Sequence, residues 1–136
     1  MNRIVHFEVH SQQPEKAAMF YREVFGWDVT EWIIPGVALP EENRYWNVTT
    51  GPDTEPGING GIVVRRTAKP AEGQPVNAYV CTIAVASLGE SIGRAQKAGG
   101  ALAVPKMPIP GIGWLAYCKD PDGNIFGLLQ EDRNAK

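Results

Sequence analysis

The stretch "IVHFEVH", Ile4 to His10, holds both histidines of the chain with a glutamate between them. His6, Glu8 and His10 alternate with Val5, Phe7 and Val9, and a period of two puts the two sets on opposite faces of a strand. Three roles suit the polar row: metal ligands, a general acid or base, or a solvated wall. Residues two apart on a strand are separated by about 6 to 7 Å and residues four apart by about 13 Å. His6 and Glu8 can therefore share an ion, whereas His6 and His10 cannot readily do so through metal–nitrogen bonds of about 2 Å. A third ligand has to come from elsewhere. Glu131 and Asp132 are candidates, although both sit past the last expected strand.

The elements that must position this row are legible from period and punctuation. After "IVHFEVH", Pro14 suits a first helical position. Ala17, Phe20, Tyr21 and Val24 recur at helical spacing, and Gly26 can supply the left-handed stop, which predicts a helix over 14–25. A second helix is expected over 88–98, with Ser87 and Glu90 at capping-box spacing, Leu88, Ile92 and Ala95 on one face and Gly99 as the stop. Strands are expected in "WDVTEWII", "RYWNVTT", "NGGIVVR", "AYVCTIAV", "ALAVPK", "GWLAYC" and "NIFGLLQ". "KDPDGN", with Asp120, Asp122 and Asn124, reads as a turn.

The element order is strand, helix, three strands, and then the same again. Shifting the first half by 74 positions lays His6 on Val80, Val9 on Ile83, Pro14 on Leu88 and Gly26 on Gly100. One further residue of shift lays "IIPGV" on "PIPGI". The expected organisation is one domain, 1–136, with a first module over about 3–65, a connector over 66–77 and a second module over about 78–131.

Composition excludes several classes of partner. The formal charge is -2 and the basic residues are dispersed, so no surface is built to neutralise nucleic-acid phosphates. No stretch approaches the roughly 18 apolar residues of a membrane span, and the expectation is a cytoplasmic protein. Cys81 and Cys118 lie in apolar runs without metal-binding spacing, which suits reduced core residues.

Two βαβββ modules, "HFEVHSQQPEKAAMFYREVFGW" in the first and "IPGIGWLAYCKDPDGNIFGLLQ" in the second, resemble the glyoxalase/bleomycin resistance/dioxygenase superfamily, or vicinal oxygen chelate proteins. Within it, "IPGIG" is similar to a group described as related to lactoylglutathione lyase. The resemblance implies an α+β fold in which the two modules form an incomplete barrel, with a small-molecule site in the concavity. It also implies a homodimer, since such proteins commonly pair two chains and incomplete barrels leave edge strands.

Superfamily members with a metal take ligands from the first and last strands of each module. Carried over, the first-strand position is His6, but its counterpart in the second module is Val80, the usual glutamate falls on Gly127, and "NGGIVVR" offers no ligand before Arg65. The expectation is therefore a protein without metal or other cofactor, in which true glyoxalase I activity is disfavoured because its Lewis acid is missing. Two readings stand: a protein that binds a small organic molecule, or a metal-free lyase or isomerase in which His6 and Glu8 form an acid–base pair. Thr82, Asn59 and Tyr117 are candidates for orienting the ligand, Thr82 foremost because it shares a face with Val80. Trp46 and Trp114 either line the cavity or fill the core between sheet and helix.

Overall fold

The computed structural model describes residues 1–71, 73, 79–121 and 124–136. Residues 72 and 74–77 of the expected connector and Asp122 of the expected turn lie outside the described residues. Tertiary contacts divide the chain into two compact units, one of residues His6–Tyr79 and one of Met1–Val5 together with Val80–Lys136. The first residues join the latter unit through the Asn2 N–H, which donates to the Ala84 carbonyl at 2.7 Å.

The first module runs β1 (Arg3–Ser11), α1 (Pro14–Phe25), β2 (Asp28–Glu31), a short 3-10 turn (Glu41–Asn43), β3 (Tyr45–Thr49) and β4 (Gly60–Val64). Its strands lie in the order β2-β3-β4-β1, with β1 parallel to β4 and the other pairs antiparallel. Phe7, Ala18, Val29, Trp46, Val48 and Ile62 form the core between this sheet and α1, and Val9, Ala17, Tyr21 and Trp27 pack against them. Gly26 ends α1 at φ 68°, its N–H bonded to the Arg22 carbonyl at 3.0 Å. Val5, which shares a face with Phe7 and Val9 by the alternation, does not join them in the core: it is exposed and groups with the other unit.

The second module repeats the plan with β5 (Val80–Ala84), α2 (Leu88–Lys97), β6 (Ala101–Ile109), β7 (Gly113–Lys119) and β8 (Ile125–Glu131). Its strand order is β5-β8-β7-β6, again with the first and last strands parallel. Val85, Leu88, Ala116, Cys118 and Leu128 are its core. The α+β class and the βαβββ order are thus those expected from the pattern. Ser87 caps α2 by accepting the Glu90 N–H at 3.3 Å.

Two details refine the pattern. The stop after α2 is Gly99, as expected from its position, at φ 95°, although the register lays Gly26 on Gly100. Gly99 N–H bonds the Gln96 carbonyl at 3.1 Å and Gly100 N–H bonds that of Ala95 at 2.8 Å, the paired bonds of a Schellman ending. The strand expected in "ALAVPK" also runs on to Ile109 as an edge strand with register shifts between Leu102 and Met107, which is where a proline-containing strand can sit.

The offset repeat "IIPGV" and "PIPGI" folds into the same turn twice. Gly36 and Gly111 have φ of 76° and 73°, and Val37 N–H and Ile112 N–H bond the Ile34 and Ile109 carbonyls at 3.1 and 3.0 Å. Proline followed by a left-handed glycine under such a bond is type II turn geometry.

Candidate functional site

Because Phe7, Val9, Trp46, Val48 and Ile62 point to α1, their alternates point to the helix-free face of the first module. The register sets the neighbours there: Glu8 is opposite Gly61, His10 opposite Val63, Asn47 opposite Gly61 and Tyr45 opposite Val63. His6 Nε2 and the Tyr45 hydroxyl share a hydrogen bond of 2.9 Å, and the two rings stack with centroids 6.5 Å apart and planes 13° from parallel. Trp32 meets Tyr45 edge-on, 84° between planes, at 6.4 Å. Glu8 is a buried carboxylate at 9% exposure, and its charge acts on both imidazoles.

Burial lowers the pKa of His6 below its ordinary 6.5, against the opposing pull of Glu8. Burial, reinforced by the Glu8 charge, raises that of the Tyr45 phenol. At neutral pH both partners are therefore uncharged, and the pair presents a neutral imidazole joined to an intact phenol. Such a pair can accept a proton, donate a hydrogen bond, or orient a polar group without placing a net charge of its own in the site.

His10 sits near the end of β1, where a side chain is ordinarily solvated. Its Nε2 is instead buried with no hydrogen-bond partner among the described residues, while its carbonyl accepts from Arg65 Nη2 at 2.8 Å. Burial lowers its pKa too; Glu8 opposes this and Arg65 adds to it.

A family model described as the Glyoxalase/Bleomycin resistance protein/Dioxygenase superfamily matches residues 3–128. The chain belongs to this superfamily. A search of curated proteins finds no match. Among solved structures, methylmalonyl-CoA epimerase from Mycobacterium tuberculosis superposes with a TM-score of 0.64 at 11% identity, over 95% of this chain and 87% of that one. A hypothetical protein from Bacillus halodurans gives 0.64 at 12% identity, over 98% and 97% of the two chains. A Streptomyces coelicolor methylmalonyl-CoA epimerase variant in complex with 2-nitronate-propionyl-CoA gives 0.61 at 15%, over 100% and 99%. Likeness at these identities is a likeness of fold.

The donor chemistry at the superfamily's metal positions does not fit a metal. Val80 has no donor atom, and Gly127 has no side chain: a Cβ built there would lie 2.8 Å from Thr82 Oγ1, so that space already belongs to Thr82. In the first module Gly61 is the counterpart of Gly127, since Glu8 and Asn47 flank the one as Thr82 and Tyr117 flank the other. His6 is left as the one donor among these four. Among the described residues no three His, Cys, Asp or Glu side chains come together as a ligand set.

The remaining sequence candidates fall into three groups. Of the two places open to Trp46, cavity or core, it takes the core, buried at 3% exposure against α1 with the Arg44 guanidinium 4.7 Å above its ring, on the face away from His6. Asn59 is exposed and braces the β3–β4 loop, its Oδ1 accepting the Thr50 N–H at 2.9 Å. In the second module Trp114 packs against the helix-side core and donates Nε1–H to Asp132 at 3.0 Å, beneath Lys106 at 4.3 Å. Thr82, buried at 3%, and half-buried Tyr117 lie on that module's helix-free face, both opposite Gly127.

Tyr45 was not among the sequence candidates. The alternation in "RYWNVTT" carried the signal, because placing Trp46 and Val48 against the helix puts Tyr45 and Asn47 on the face of His6.

Proposed function

We propose that the protein binds a small organic molecule on the helix-free face of its first module, with a polar group of that molecule oriented by His6, Glu8 and Tyr45. The observation that carries this reading is the His6–Tyr45 hydrogen bond, formed by two uncharged groups on the sheet face opposite α1. A face that groups an imidazole, a carboxylate and a phenol suits a ligand of matching polarity better than apolar packing. The reading takes the site to work without metal and places the chain near the group related to lactoylglutathione lyase. It also includes the cytoplasmic homodimer expected from the sequence; among the described residues no helix is long and apolar enough to cross a membrane.

A second reading is favoured by the lowered pKa of His6. A neutral imidazole can take a proton from carbon or oxygen of a bound substrate while the Tyr45 O–H stabilises the oxyanion that develops, which is the chemistry of a metal-free isomerase or lyase. The fold likeness to proteins described as epimerases agrees with that class. Native mass spectrometry of the purified protein, followed by recovery of any bound compound from deuterated buffer, separates the readings. A compound recovered unchanged supports binding, and one carrying deuterium at carbon supports proton transfer. Loss of the compound in His6→Ala supports the shared site, whereas full retention there overturns both.

A further inference from the structure

We propose that Gly61 is a positioning residue: the space left by its missing side chain seats the Tyr45 ring, and this seat holds the phenol on His6. The proposal rests on the role given above to the His6–Tyr45 pair.

A Cβ built at Gly61 would overlap Tyr45 Oη and Cζ and lie 2.6 Å from Cε2, and these are its three nearest atoms. The hydroxyl end of the Tyr45 ring therefore occupies the place a side chain at Gly61 would take. Gly61 is absent from the residues of positive φ, so an alanine there meets no left-handed backbone strain, and its nearest conflicts are with Tyr45. Neighbouring Gly60 serves the opposite face, where an added Cβ would run into the Phe7 carbonyl and ring. The second module repeats the device with Thr82 over Gly127. Two adjacent glycines thus do different work, Gly60 allowing close packing under α1 and Gly61 making room for a functional side chain.

The test is a double-mutant cycle of Gly61→Ala and Tyr45→Ala, read by denaturant unfolding and by NMR titration of the His6 ring, and it needs no ligand. Gly61→Ala should destabilise the native chain yet be close to neutral in the Tyr45→Ala background, since truncating the ring frees the space. Both single variants should move the His6 midpoint upward toward its ordinary value by similar amounts, because each removes the ring that shields it. If Gly61→Ala alone fails to fold while the double variant folds, the coupling is shown in its strongest form. The proposal is overturned if the two stability losses add, if His6 titrates natively in Gly61→Ala, or if the double variant fails where Tyr45→Ala folds. Loss of ligand binding in His6→Ala with no coupling in this cycle would leave the binding reading standing and remove the seat.

Discussion

The Tyr45 hydroxyl sits 2.9 Å from His6 Nε2 although 39 positions separate them in the chain, joining β3 to β1 across the intervening β4. Replacing Tyr45 with Phe keeps the ring on Gly61 and deletes the hydrogen bond. The expected cost is about 0.5 to 1.5 kcal/mol in denaturant unfolding. A loss well above that range would mean that the hydroxyl has further buried partners.

Phe7 is 8% exposed and packs between Trp27, at 6.0 Å, and Tyr79, at 5.3 Å. Phe7→Ala should cost about 3 to 5 kcal/mol through the cavity it leaves. His6→Ala, one residue away on the other face, should leave a cooperatively folding chain. The opposite pattern would show the faces of β1 to be reversed.

Acidification should destabilise the protein through its histidines. Burial holds both below their ordinary 6.5, so between that value and the folded pKa the unfolded chain binds more protons than the native one, and stability falls as pH drops through this window. Above 6.5 the contribution is fully present. Unfolding midpoints at pH 7.5 and 5.5, for the native chain and for His6→Gln with His10→Gln, provide the check. The double variant should lose most of the dependence in this interval, and an unchanged dependence would assign it to other groups.

Dialysis against a chelator should leave the melting temperature and any ligand binding as they were, because Val80, Gly61 and Gly127 supply no donors beside His6. About one zinc, nickel, manganese or iron ion per chain, lost together with His6→Ala, would contradict this.

How much of this was legible in the sequence depends on whether the decisive contact is local. The helices, the Ser87 cap and the alternation of His6 and Glu8 with Phe7 follow from spacing within a few residues of each feature. Tyr45 and Gly61 do not, since their meaning depends on the register of β3 against β4 and of β4 against β1. In the sequence Gly61 is only a missing ligand; in the fold it is the floor beneath a phenol. Trp46 is the larger residue, but size favours burial, and it is the neighbouring Tyr45 that takes the face of His6. His10 Nε2 is buried although strand ends are usually solvated, a placement set by elements remote from it in sequence.

The central claim, that the helix-free face of the first module is where a small molecule binds, is tested most directly by ring NMR. The compound identified by native mass spectrometry is added to protein labelled at histidine and tyrosine. The account predicts that His6 and Tyr45 shift together and saturably, and that both responses vanish in His6→Ala while the fold persists. Saturable binding that leaves these two rings unmoved, or that survives His6→Ala at full affinity, would contradict it.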